Sequence, residues 1–242
     1  MRKSLWKYSK QIIDVIEAWQ SWVLSSIDEN MFSIFPCTST KNTTFSIAGQ
    51  YFGTVAETKT IVQKLIDNTP QSNQPDFYAY MPFVSAVRYN DGEPGQSSFK
   101  DTSGFTKSVL DSNAVKEIYK WLSNAPSANC LLQMDSFGGA INNLPPSATA
   151  FPHRNMNFIY QFQAYWDSPD DKKKHENWVD NFSKEIRTQF MEDACYRNYG
   201  DVTLSDWQYK YYANNYAKLQ QIKQKYDPKD YFKYSQSIEL PA

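Results

Sequence analysis

Two segments of this chain alternate large apolar residues with polar or small ones, and this alternation restricts the possible folds more than any other feature. The segments are residues 44–52 and 158–166. One side of the first segment carries Phe45, Ile47, Gly49 and Tyr51, of which all but the glycine are bulky, and one side of the second carries Phe158, Tyr160 and Phe162. A period of two is typical of a β-strand with one buried face. Both segments are therefore predicted to be strands of a sheet that is covered mainly on one side.

Helical spacing of apolar residues marks the segments between and around these strands. A first helix is predicted with Ser9 as its cap, and residues 112–123 and 170–191 are predicted as further helices with one apolar face. Capping boxes at Thr54–Glu57 and at Ser205–Gln208 predict the starts of two more. Each of these helices has a single apolar stripe, so packing against one neighbouring layer of the fold is enough to bury it.

Residues 32–35 and 129–137 are predicted as further short strands, so strands and helices alternate along the chain. The strands are aromatic and half-polar, whereas strands of a doubly wound parallel sheet are apolar on both faces. The predicted fold class is therefore α+β, with an antiparallel β-sheet and helices packed mainly on one face. Residues 192–242 are predicted to form a loop, a helix and an extended tail, with no further strand of the sheet. This change in predicted secondary structure divides the chain into 1–191 and 192–242.

Charge and apolar runs exclude two classes of partner. The chain has 25 basic and 26 acidic residues and a net charge of −1, with no basic stripe for nucleic acid. No apolar run approaches the ~20 residues that a membrane-spanning helix needs. Asp14 and Glu17 interrupt any apolar core of a signal peptide, which leaves a cytoplasmic location as the default expectation.

The residues by themselves show no metal or nucleophile motif. Cys37, Cys130 and Cys195 are too far apart for a zinc site and are predicted to be buried free thiols. His153 beside Pro152 is a proton-transfer group, an anion contact or, more commonly, a structural histidine. Gly138-Gly139 and the polar segment 196–201 likewise have ordinary structural explanations, as a tight turn and as a loop.

Three stretches, in order along the chain, carry a resemblance to a known family. They are Asp135-Ser136-Phe137-Gly138-Gly139 with Ala148–Arg154, then Tyr196-x-Asn198-Tyr199-x-Asp201, then Trp207 to Ile238 with Tyr211-Tyr212-Ala213-Asn214-Asn215-Tyr216 at its centre. Together they resemble the berberine bridge enzyme-like branch of the FAD-linked oxidases. The second stretch is similar to that family's Tyr-x-Asn-Tyr-x-Asp signature.

The resemblance extends over nearly the whole chain but over only about the second half of the family's fold. It implies a substrate-binding domain in residues 1–191 and a C-terminal berberine-bridge segment in 192–242. FAD would then be bound mainly by a separate FAD-binding domain or subunit, and the substrate would be a small molecule. The alternative is a noncatalytic binding or assembly module derived from the same fold.

The resemblance also implies roles for single residues. Tyr199 is the candidate base that removes a proton while hydride passes to the flavin, and Asp135 is the candidate acidic residue beside it. Tyr196 and Asn198 would face the flavin or hold their loop. An acid at position 135 favours an alcohol, polyol or sugar substrate over an aromatic alkaloid.

Overall fold

A computed structural model of the chain describes residues 2–7, 11–26, 28–41, 44–72, 76–90 and 96–241. Seven strands form one sheet in the order β4-β1-β3-β2-β6-β7-β5, and neighbouring strands are antiparallel. The strands are β1 Arg2–Lys7, β2 Met31–Thr38, β3 Thr44–Tyr51, β4 Phe77–Tyr78, β5 Ser98–Thr106, β6 Cys130–Ser136 and β7 Phe158–Trp166. The prediction of an antiparallel sheet is confirmed.

The α-helices are α1 Gln11–Ser26, α2 Val55–Asp67, α3 Phe83–Asn90, α4 Ser112–Ser123, α5 Lys172–Phe190, α6 Trp207–Tyr212 and α7 Tyr216–Tyr226. Four of them, α1, α2, α4 and α5, share one hydrophobic core with one face of the sheet. We call this side the helix face. Buried strand residues of this core include Phe35, Phe45, Leu132, Tyr160 and Phe162. The predicted α+β class, with its helices mainly on one face, is therefore confirmed.

The opposite side of the sheet, called the far face below, is partly covered by loops and by residues after 192. The register fixes which residues lie there. Asp135 pairs with Ile34 of β2 and with Ile159 of β7, and Met134, one residue earlier, is in the helix-side core. Successive side chains of a strand point to opposite faces, so Asp135 must lie on the far face.

The α2 capping box is present as predicted. The Thr54 side chain accepts a hydrogen bond from the Glu57 backbone N–H, and the Glu57 carboxylate accepts one from the Thr54 N–H. The Ser9 cap lies outside the described residues. Strand β5 and helix α3 were not predicted from any periodic pattern.

The predicted capping box at Ser205–Gln208 is wrong. Helix α6 begins after Asp206, whose φ of 52° is left-handed and whose side chain makes no capping bond. The predicted single helix is also interrupted, because Ala213 has a φ of 43° and a short 3₁₀ turn separates α6 from α7. Both changes of direction follow from tertiary contacts: His153 and Cys195 each bond the Lys210 carbonyl, and the Asn215 amide bonds the carbonyls of Pro146 and Thr149.

The three cysteines are free and buried, as predicted. In the part of the chain that the structure describes, no helix combines the length and apolarity that a bilayer crossing requires.

The two capping-box sequences give a matched test of this fold. We expect Thr54→Ala to lower the free energy of unfolding by about 1 kcal/mol, because an orphan N–H at the start of α2 loses its acceptor. Ser205→Ala removes a hydroxyl of the same kind from a site without a cap bond and should leave stability within about 0.5 kcal/mol of the parent. Urea unfolding measures both; equal losses would contradict the assignment of the caps.

Candidate active site

A carboxyl and a phenol meet on the far face. The hydroxyl of Tyr199, in the loop after α5, donates a hydrogen bond to Oδ2 of Asp135 at 3.4 Å. The amide of Gln133, two residues before Asp135 on the same strand, donates to the same oxygen at 3.3 Å. Both contacts are long for hydrogen bonds, so they are weak and easily exchanged for a shorter bond from another donor.

The loop that carries Tyr199 is held by hydrogen bonds at both ends. At its start, the Tyr196 backbone N–H donates to the Ser103 hydroxyl of β5 at 2.7 Å. At its end, the Asp201 N–H donates to the Tyr211 hydroxyl at 3.0 Å, and the Gln236 amide donates to the Asp201 carbonyl at 2.7 Å. These bonds join the loop to β5, to α6 and to the C-terminal tail, and they bring Tyr199 over Asp135.

Burial dominates the electrostatics of this pair. The Asp135 side chain is 5% exposed, and burial raises the pKa of Asp135 to about 7, against smaller lowering effects of the bonds from Gln133 and Tyr199. Burial, and then repulsion by the Asp135 charge, raise the pKa of Tyr199 well above its usual range. At neutral pH the acid of this pair is therefore Tyr199, and Asp135 is the group that changes charge.

One carboxyl oxygen of Asp135 lacks a hydrogen-bond donor among the described residues. Its Oδ1 is buried and accepts no hydrogen bond from any described residue. Buried polar oxygens are nearly always bonded, and an unpaired one in a native fold points to a ligand or to water. This atom is therefore a candidate acceptor for a substrate hydroxyl.

Tyr196 and Asn198 lie beside the pair, on the same loop as Tyr199. The rings of Tyr196 and Tyr199 meet edge to face with centroids 5.2 Å apart, and the Asn198 amide donates to the Tyr196 hydroxyl at 2.9 Å. The surrounding cluster on the far face is aromatic, with Phe105 at its centre and Phe137 and Phe151 against it. A planar ring system such as the flavin of FAD fits such a surface, which offers aromatic edges and amide donors.

Further polar residues of the far face were missed by sequence reasoning. The Gln161 amide donates to the Asp101 carboxylate at 2.8 Å, the Gln163 amide to the Gln161 oxygen at 2.9 Å, and the Tyr165 hydroxyl to Gln163 at 2.8 Å. Burial raises the pKa of Asp101. Gln161 and Gln163 alternate along β7 with the buried residues Tyr160 and Phe162. The apolar alternation was therefore the sequence signal that could have placed them on the far face.

Three other residues singled out in the sequence, His153, Gly138 and Gly139, are structural. The buried His153 donates a hydrogen bond from Nε2 to the Lys210 carbonyl at 2.9 Å. Because burial lowers the pKa of His153, the neutral imidazole is the form that holds α6 in place. Gly138 and Gly139 have φ values of 89° and 52°, and a Cβ on Gly138 would lie 2.9 Å from the Met156 carbonyl oxygen. The described residues contain no cluster of three or more metal-ligating side chains.

Comparison with known proteins shows the fold and a likeness to FAD-linked oxidoreductases. BBE-like 1 of Physcomitrella patens shares the fold, with a TM-score of 0.88 and 21% identity over all of this chain and 54% of that protein. Residues 195–239 match the family model described as "Berberine and berberine like". The FAD-linked oxidoreductase YgaK of Bacillus subtilis is 26% identical over 228 residues, which are 93% of this chain and 49% of YgaK. The hexose oxidase of Chondrus crispus is 26% identical over 65% of this chain and 34% of its own length.

The chain is similar over most of its length to berberine bridge enzyme-like FAD-linked oxidoreductases, and its residues 195–239 match that family's model. It spans about half the length of the curated relatives it matches. The resemblance noted in the sequence is confirmed, and FAD is the cofactor of the family.

The raised pKa of Asp135 makes stability depend on pH. An acid whose folded-state pKa exceeds its unfolded value favours the fold below about pH 4 and loses that contribution as pH rises through about 7. Asp135→Asn removes the charge, so its stability relative to the parent should improve by a few kcal/mol between pH 4 and pH 8. Urea unfolding across this range measures the change. Asp67→Asn, at an exposed carboxyl of α2, is the control and should show a constant difference.

Proposed function

We propose that this chain is the C-terminal, substrate-binding half of an FAD-dependent oxidoreductase that oxidises an alcohol, a sugar or a similar small molecule. Residues 1–191 form the substrate-binding domain in this proposal, and residues 192–242 form the segment that packs on an FAD-binding domain or subunit. The observation that carries the proposal is the buried Asp135 carboxyl, with its pKa near 7 and one oxygen without a partner.

Asp135 is the group best suited to take a proton. A general base works best when its pKa lies near the operating pH, and Asp135 meets that condition. Tyr199, with its raised pKa, holds its own proton and donates it in a hydrogen bond to Asp135. We therefore propose Asp135 as the base and Tyr199 as the donor that orients it, which reverses the order that the family signature implied.

A bound FAD supplies the acceptor for the hydride that leaves the substrate carbon. Tyr196 and Asn198 are the residues of this chain that we propose to hold its ring system. In the proposed reaction the substrate hydroxyl hydrogen-bonds to Asp135, whose carboxylate removes the hydroxyl proton while the adjacent C–H bond breaks. Gln133 keeps the carboxylate aimed during this step, because its amide donates to Oδ2 and leaves Oδ1 for the substrate.

A hydroxyl substrate suits the donors and acceptors of the far face. Gln161, Gln163 and Asp101 form a connected line of amides and carboxyl on β7 and β5. Such a line can bond several hydroxyl groups of a polyol. The hexose oxidase of Chondrus crispus, one of the relatives, acts on a sugar by its name, and we extend this substrate class to the present chain as a proposal.

Exposed rings near the C-terminus support a partner domain. Tyr231, Phe232 and Tyr234 are 84%, 71% and 62% exposed, whereas Tyr211 is buried beneath Trp207. Three neighbouring rings in water are costly unless another surface covers them. We propose that they contact the FAD-binding half.

The reaction is tested by stopped-flow flavin reduction in the chain combined with an FAD-binding half, using a sugar or primary alcohol as substrate. Asp135→Asn should slow reduction by about 10²–10⁴, the usual worth of a general base. Tyr199→Phe should cost about tenfold or less at high pH, since only one hydrogen bond is lost. It should also move the pH midpoint of the rate upward, because the bond from Tyr199 lowers the pKa of Asp135.

Tyr209→Phe is the matched control, because Tyr209 is an exposed tyrosine of α6. A Tyr199→Phe variant that loses about 10²–10⁴ at every pH would identify Tyr199 as the base instead. A mixture that never binds flavin would support the noncatalytic module.

A further inference from the structure

A concave region lies at the end of the sheet where β3 terminates. It is a cavity of about 440 Å³ beyond the end of β3, between Phe52 and the segment 79–86 that leads into α3. The Gln50 amide donates to the Ala86 carbonyl at 3.4 Å. Gln50 is on the far face, because it pairs with Phe32, two residues from the Ile34 that pairs with Asp135. The cavity therefore lies at the end of β3, with Gln50 on its far-face side and Tyr51 and Thr58 on its helix side.

Register sets the separation between this cavity and the proposed base. Asp135 pairs with Ile34, and Ile34 pairs with Ala48, so the three residues are aligned across three adjacent strands. Gln50 lies two residues beyond Ala48 on β3. With strands ~4.8 Å apart and ~3.3 Å per residue, the Cα atoms of Asp135 and Gln50 are about 12 Å apart. One substrate of moderate length can therefore reach both places.

A smaller cavity connects the two regions. Its volume is about 210 Å³, and its lining includes Phe32, Ser136 and Phe137, the last two directly following Asp135. Phe52 lines both cavities. The apolar surface is thus continuous from the end of β6 to the segment 79–86.

The lining of the larger cavity selects a neutral, flat group. Four of the lining residues are aromatic, namely Tyr51, Phe52, Tyr80 and Phe83, and the described residues that line the cavity include no charged side chain. The rings of Phe52 and Phe83 stack at 5.7 Å, yet Phe52 is 68% exposed and Tyr80 is 81% exposed. Aromatic rings held in a concave site but open to water gain most from a planar apolar ligand.

We propose that this cavity is a subsite for a neutral aromatic group of the substrate, joined to the hydroxyl that Asp135 receives by a chain long enough to span the two places. The inference rests on the proposed function, and it narrows the substrate class to hydroxyl compounds, such as aryl-substituted alcohols or glycosides, that carry such a group.

The subsite is tested on the chain itself with N-phenyl-1-naphthylamine, a neutral aromatic probe whose fluorescence rises on burial. Ala86→Trp fills the cavity and should weaken probe binding by about tenfold, the worth of one lost ring contact. Val84→Trp adds the same ring to α3 at an exposed position outside the cavity lining and should bind within about twofold of the parent. Circular dichroism checks that both variants fold. Equal binding by the two tryptophan variants overturns the subsite.

A second measurement links the subsite to the reaction. In the chain combined with an FAD-binding half, phenyl-terminated primary alcohols of increasing length are compared with methyl-terminated alcohols of matched length. The phenyl series should gain about tenfold in kcat/KM once the ring reaches the cavity, and Ala86→Trp should abolish that gain. No phenyl preference at any length overturns the subsite, even where Asp135 remains essential. Asp135→Asn should still bind the probe, so failure of the proposed base and failure of the subsite are distinguishable.

Discussion

The packing of four helices against one face of the sheet is the interaction on which the rest of this structure depends. Met134 and Tyr160 are buried beneath those helices, and the residues next to them on the same strands, Asp135 and Ile159, therefore lie on the opposite face. Burying each large side chain contributes roughly 1.5–3 kcal/mol, so the register is held strongly. A slip of one residue would put Asp135 and Gln133 under the helices and Leu132 on the far face.

The second constraint is electrostatic, and it acts within a single pair. Asp135 and Tyr199 are both acids, they share one hydrogen bond, and burial disfavours the charged form of each. Only one of them can carry a negative charge near neutral pH, and the carboxyl has much the lower pKa. The same burial that raises the pKa of Asp135 to about 7 therefore also makes it the stronger candidate for the base.

The far face is divided into two chemical zones on either side of Asp135. Toward β5 and β7 it presents hydrogen-bonded amides and a carboxyl, with Gln161, Gln163 and Asp101 in one line. Toward β2 and β3 it presents Phe32 and Phe52, which line the two apolar cavities. Asp135 lies between a polar zone suited to hydroxyl groups and an apolar zone suited to rings. This arrangement favours a substrate with both kinds of group.

Local periodicity determined much of the fold in advance. The apolar alternation in β3 and β7, the stripes of α1, α4 and α5, and the Thr54–Glu57 capping box all depend on residues close in sequence, so their physics can be read along the chain. The same alternation determined that the sheet would have one covered face. The family signature at 196–201 indicated which loop carries the tyrosines, although not which acid would ionise first.

Only the tertiary structure decided the remaining features. The break between α6 and α7 follows from contacts of Lys210 and Asn215 with distant segments, and α3 has no described residue buried in the helix-side core, so neither left a periodic pattern to read. The meeting of Asp135 with Tyr199 joins residues 64 apart in sequence, and their pKa values depend on burial that no local pattern records. Sequence alone therefore determined the elements with a regular apolar period and the covered face, while long-range packing decided where the site lies and which of its groups can take a proton.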